Sequence, residues 1–236
     1  MQLQLDVADA PIPAYLAVPA EPVSGAGPWP GVVVVHDAFG LSDDIRSITE
    51  RFATAGYLAL APDLYGRGGA LRCVRAVFTA MRAGSGQAVD DLQAARRLLL
   101  DRTDCTGTVG IAGFCMGGGF ALVMAPRGYD ASAPYYGEMP ADEGVLDGAC
   151  PVVASFGRRD PALRGAADRL RGALDSRGVP HDVKEYPDAG HSFANRLPFG
   201  PPAPLRRIVG LGYHHESSED AWRRVFAFFG EHLRTG

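Results

Sequence analysis

The sequence predicts an α/β protein built on a doubly wound, mostly parallel sheet with helices on both faces. Three features predict it: short apolar, β-branched runs recur along the chain, amphipathic helical stretches separate them, and glycine or proline marks each changeover. Residues 31–36, Gly-Val-Val-Val-Val-His, form a continuous apolar run, the pattern of a strand buried on both faces of a parallel sheet. Residues 42–55 follow with Ile45, Ile48 and Phe52 at helical spacing, Ser42 as a cap and Gly56 as a stop. A strand at 57–62 ends in proline. A helix at 87–100 carries Leu92, Ala95 and Leu99 on one face. Then come a strand at 108–112, a helix from Met116, a strand at 152–156, a helix at 163–176 and a strand at 182–186. A last helix over 220–233 carries Val225, Phe226, Phe229 and Leu233. Two stretches break the alternation. Residues 64–86, rich in glycine and arginine, are expected to form a lid or pocket wall. Residues 196–218, with four prolines, are expected to form a long ordered loop of functional importance.

The 236 residues read as one domain, 1–236, with no internal repeat and no linker. A hydrophobic fraction of 47% supplies a large core. The formal net charge of −4, spread along the chain, argues against a nucleic-acid partner, which needs a concentrated basic stripe. The N-terminus lacks the basic start and apolar core of a signal peptide, and no run approaches the roughly 18 apolar residues of a spanning helix. A cytoplasmic protein, monomer or weak homodimer, without a membrane partner, is the expectation. Cys73, Cys105, Cys115 and Cys150 match no metal-site spacing and read as reduced thiols. His214, His215 and Glu216 lack a third spaced ligand, so no metal is expected.

Cys115 stands apart. In Gly113-Phe114-Cys115-Met116-Gly117 it lies where a strand gives way to a helix, at the centre of a nucleophile-elbow pattern. The turn there is so sharp that side chains two positions either side would meet neighbouring backbone, and glycine occupies both positions. A thiol at a helix N-terminus is biased toward thiolate. Downstream, the strand at 152–156 runs into Asp160 and the strand at 182–186 runs into His191. Nucleophile, acid and base therefore follow one another at successive strand ends, the order of an α/β-hydrolase triad. The oxyanion hole of such a site uses the N–H after the nucleophile and one after the third strand, which fall at Met116 and Ala38. His36 reads as a packing or hydrogen-bonding residue.

Several runs together resemble the dienelactone hydrolase (carboxymethylenebutenolidase) family: His36-Asp37-Ala38-Phe39-Gly40-Leu41, Pro62-Asp63-Leu64-Tyr65-Gly66-Arg67, the elbow with Gly118, Tyr135-Tyr136-Gly137, and Gly190-His191-Ser192-Phe193-Ala194. The resemblance spans nearly the whole chain. It implies an α/β-hydrolase core of about eight strands, a small-molecule ester or lactone substrate, and no cofactor. It also implies a thiol-modulating carboxylate, here Asp37, where the family carries glutamate. Family members grip a substrate carboxylate with arginines. The position directly after the His-Ser-Phe-Ala run is Asn195 here, with Arg196 next, and the second arginine falls to Arg72 or Arg75. Tyr135 joins these as an implied substrate-binding residue.

The chemistry expected is attack by the Cys115 thiolate on an ester, enol lactone or related activated acyl compound, with His191 as base and Asp160 as its orienting partner. Two alternatives remain open on sequence: a non-hydrolytic ligand-binding protein of the same fold, and a thiol-redox protein using Cys115.

Overall fold

The computed structural model describes residues 1–20, 26–196 and 211–234. An eight-stranded sheet runs through the molecule in the order β1-β2-β4-β3-β5-β6-β7-β8. Its strands are β1 (Gln2–Leu5), β2 (Ile12–Ala17), β3 (Trp29–Val35), β4 (Leu58–Pro62), β5 (Cys105–Phe114), β6 (Ala131–Tyr135), β7 (Val152–Gly157) and β8 (His181–Tyr186). From β4 to β8 all neighbours are parallel, while β1 and β2 form an antiparallel flap on the β4 edge.

Alternation along β3 explains the sandwich. Val33 and Val35 pack with Leu92, Ala95, Leu99 and Phe120, from helices α3 (Gln87–Leu100) and α4 (Met116–Met124). Val32 and Val34 face the other way, onto Ile45, Ile48 and Phe52 of α1 (Asp43–Thr54) and Trp222, Val225 and Phe229 of the C-terminal helix α6 (His215–Leu233). Such a strand must be apolar at every position, and β3 is buried throughout. Leu122 of α4 joins Val152, Ala154 and Phe156 of β7 and Leu170 and Leu174 of α5 (Ala166–Asp175) in a further apolar cluster.

Three elements differ from the sequence expectation. Residues 64–86 contain a regular helix, α2 (Ala70–Ala83), whose glycines stand outside its ends: Gly69 precedes it and Gly84 closes it with φ 62°. The C-terminal helix begins at His215 rather than residue 220, because His214 accepts the Ser217 N–H through Nδ1. The segment expected as helix from 163 is a 3-10 turn (Pro161–Leu163) followed by α5. Strands β1, β2 and β6 were not expected individually; β6 reads Ala-Ser-Ala-Pro-Tyr, and proline inside a central strand argues against a strand assignment. Most of the proline-rich stretch lies outside the described residues.

The chain leaves β3 toward β4 on one side and returns to β5 on the other. Loops at the carboxyl ends of β3 and β5 therefore diverge, and open α/β sheets bind ligands in the crevice that this reversal creates. That crevice lies between Asp37–Ala38 and Cys115.

Candidate active site

The elbow is built by close backbone packing. Cys115 has φ 56° and ψ −113°, a conformation that costs a non-glycine residue about 1–3 kcal/mol. A Cβ at Gly113 would lie 1.9 Å from the Gly117 carbonyl oxygen, and one at Gly117 would lie 2.2 Å from that of Val35. Only glycine permits both approaches. The Cys115 N–H donates to Tyr135 O at 3.1 Å, fixing the elbow to the end of β6. Helix α4 starts without a side-chain cap, so the Met116 N–H belongs to a first turn that no side chain satisfies. Cys115 itself is partly exposed.

Beyond β7 and β8 the two partner loops are tied by backbone bonds from Arg158 N to Tyr186 O and from Arg159 N to Ala189 O, both 2.9 Å. These bring Asp160 against His191. Asp160 is 1% exposed and uses both oxygens: Oδ1 accepts the Ala162 N–H at 3.0 Å, and Oδ2 accepts from His191 Nδ1 at 2.6 Å. The capping role and the histidine-orienting geometry coexist in one carboxylate. Burial alone would lower the His191 pKa. Hydrogen bonds to Asp160 and to the Cys115 side chain, with the charges of both, outweigh it and raise the imidazole to about 10. Asp160 and His191 thus form a hydrogen-bonded pair, with Cys115 near enough to act on the imidazole.

Asp37 is 2% exposed at the end of β3. Its Oδ1 accepts the Phe39 N–H at 2.8 Å, while its buried Oδ2 has no hydrogen-bond partner among the described residues. Burial pushes its carboxyl up to about 6; the Phe39 N–H opposes this, Asp44 adds to it and His191 opposes it. His36 is wholly buried and bridges loops: its Nδ1 lies 2.6 Å from Asp37 O, and its Nε2 accepts the Leu64 N–H at 3.1 Å. Burial lowers its pKa. It is a neutral strut between the loops after β3 and β4.

The residues that the resemblance implied for substrate binding occupy unlike settings. Asn195 is wholly buried, and both ends of its amide are engaged: Oδ1 accepts from the Tyr136 hydroxyl, and Nδ2 donates to Asp44 Oδ2 at 2.7 Å. Arg196 donates its backbone N–H to Asp44 Oδ1 at 3.0 Å. Its guanidinium lies 4.2 Å from the centroid of the Tyr213 ring and donates to that hydroxyl at 3.0 Å. Tyr135 is wholly buried, stacked on Phe114 and near Trp222, within the core. Arg72 and Arg75 are exposed on α2.

Two tyrosines stand close to the candidate catalytic groups, and Asp44 is joined to one of these tyrosines through Asn195. Tyr136, with φ 38°, places its ring 5.2 Å from the His191 imidazole. Tyr65 sits with its hydroxyl 3.3 Å from Ala38 O and 3.6 Å from Met116 Sδ, between the two segments expected to supply oxyanion donors. Its pKa is raised by burial first, then by the charges of Asp37 and Cys115. Asp44 stands in the first turn of α1. Tyr65 and Tyr136 occur inside the motif runs, but nothing in their spacing marked their direction. Among the described residues no cluster of three metal-ligating side chains exists, and no helix is long and apolar enough to cross a membrane.

An eight-stranded, mostly parallel sheet with a cysteine elbow at its switch point defines an α/β-hydrolase-fold protein. The sequence model of the dienelactone hydrolase family matches residues 12–233. The chain belongs to the dienelactone hydrolase family and is a carboxylic ester or lactone hydrolase. A protein of Methylorubrum extorquens, whose carboxymethylenebutenolidase name is itself provisional, is 30% identical over 98% of this chain and 80% of its own length. The carboxymethylenebutenolidase of Rhodococcus opacus is 27% identical over 96% of this chain and 95% of its own. A crystal structure from Klebsiella pneumoniae, provisionally named a dienelactone hydrolase, superposes with a TM-score of 0.80 at 25% identity, covering 98% of both chains.

Proposed function

We propose that this chain hydrolyses esters or enol lactones through a Cys115 thiolate and a covalent thioester. The observation that carries this reading is the Asp160–His191 hydrogen bond beside Cys115, which sits partly exposed at a strained elbow. His191, held as imidazolium by Asp160, places a cation beside the attacking sulfur, a setting that favours thiolate over thiol. The thiolate attacks the acyl carbon, and the carbonyl electron pair moves onto oxygen. The N–H groups of Met116 and Ala38 receive that oxyanion, at about 3–4 kcal/mol for a donor of this kind. The tetrahedral centre collapses, the C–O bond breaks, and the departing alkoxide or enolate takes the proton of His191. A water, losing a proton to the now neutral His191, attacks the thioester. The thiolate leaves, the carboxylic acid is released, and the imidazolium–thiolate pair is restored.

Tyr65 supports this reading by bracing the Ala38 carbonyl and Met116 across the oxyanion site. The residue roles are tested by alkylation. Iodoacetamide is expected to modify Cys115 ahead of Cys73, Cys105 and Cys150, and loss of p-nitrophenyl acetate turnover should track that modification one for one. Inactivation with Cys115 intact by mass spectrometry removes it as the nucleophile. Alkylation without any wild-type turnover to lose favours a ligand-binding protein instead.

A further inference from the structure

One wall of the crevice carries negative charge that the hydrolytic series does not use. Asp44, in the first turn of α1, accepts the Asn195 amide at 2.7 Å and the Arg196 backbone N–H at 3.0 Å. Both donors are neutral, and among the described residues no ion pair compensates its charge. Asn195 passes directly to the Tyr136 hydroxyl, and the Tyr136 ring lies 5.2 Å from His191. Burial is what chiefly raises the pKa of Asp37 and of Tyr136, and the Asp44 charge adds to both. Arg196, the neighbouring cation, has its guanidinium on Tyr213. The imidazole of His191 is engaged by Asp160 through Nδ1. Asp37 adds a second acid at the end of β3, with one oxygen unpartnered and buried.

Building on the hydrolytic reading above, we propose that Asp44, fixed by Asn195 and Arg196 N–H, selects uncharged acyl substrates and turns away those bearing a carboxylate near the scissile bond. A substrate carboxylate entering beside Tyr136 would meet a like charge in a partly buried setting, where screening by solvent is weaker than at the surface. An uncharged acyl group meets no such repulsion. The two carboxylates thus act on selectivity, whereas the Cys115 series acts on rate.

Two matched pairs test the charge rule. The first is p-nitrophenyl butyrate against mono-p-nitrophenyl glutarate; the second is iodoacetamide against iodoacetate at Cys115, each normalised to its rate with free glutathione. Wild-type protein should favour the uncharged member of both pairs by about tenfold or more, an effect of the size expected for one uncompensated charge at short range. Asp44→Asn should shrink both ratios by about tenfold, while Asp43→Asn, the exposed neighbour of equal charge, should leave them within about twofold of wild type. Equal rates within a pair, preference for the anion, or ratios that respond alike to both substitutions would overturn the proposal. If Asp44→Asn does not fold, the wild-type alkylation pair alone decides it. Absence of p-nitrophenyl ester turnover would count against the hydrolytic reading, and the alkylation ratio would still report on the charge rule.

Discussion

At the scale of single residues, the site assigns two duties to one side chain. Asp160 caps a 3-10 turn with one oxygen and orients His191 with the other. Asp160→Asn can preserve the cap while losing the charge that supports the imidazolium. We predict a kcat loss of about 10²- to 10⁴-fold with an unchanged fold, the upper end being the cost of the same change in a serine triad. The sign of the pH effect follows from the raised His191 pKa. A group raised from 6.5 to about 10 is held protonated in the folded protein. Its stabilising contribution is complete below the ordinary histidine value and is lost as pH rises through about 10. The alkaline limb of activity should therefore lie near 10 in the wild type and fall in Asp160→Asn. Wild-type kcat with an unmoved limb in the variant would remove Asp160 from the series. Cys115, Asp160 and His191 could be proposed from the sequence because each follows a strand in a fixed order. Tyr136, Tyr65 and Asp44 could not, because their roles depend on a positive φ, a bracing contact and a long-range bond to Asn195 that no spacing encodes. The Asn195 amide illustrates the reverse: its position marked it for substrate, yet burial gives it to Tyr136 and Asp44.

At the scale of elements, the elbow depends on β3, β5 and α4 approaching closely enough to leave no room for a Cβ. Gly117→Ala would press a methyl against Val35 O, 2.2 Å from the ideal Cβ position. Backbone cannot yield as a flexible side chain can, so the end of β3 must shift and carry Ala38 with it. We predict a stability loss of about 1–3 kcal/mol, the usual cost of overpacking, with kcat falling because both oxyanion segments move. Wild-type melting temperature and kcat in this variant would contradict the packing account. The glycines of residues 64–86 show why element reading from composition can fail. In a stretch expected as a lid or pocket wall with no helix assigned, they bound α2 at Gly69 and Gly84. β6 was hidden for a different reason: its small residues and Pro134 carry little strand signal, and its place is set by pairing with β5 and β7.

At the scale of the whole molecule, the alternation of apolar runs and amphipathic helices was enough to give a doubly wound sheet. The order of strands was not, since it rests on pairings between segments far apart in sequence. That order matters for function: reversal between β3 and β5 opens the crevice in which Cys115 faces the loop after β3, and every proposed step uses residues from one sheet edge. The central claim is a covalent acyl-cysteine on the path to product. It is tested most directly by mixing the protein with an excess of an activated ester, quenching in acid within the first turnovers, and measuring the intact and peptide masses. The account predicts one acyl group on Cys115, formed at a rate no slower than turnover, discharged by neutral hydroxylamine, and absent in Cys115→Ala, which should also be inactive. Full hydrolysis by Cys115→Ala, or an acyl group resident on another side chain during turnover, would contradict it.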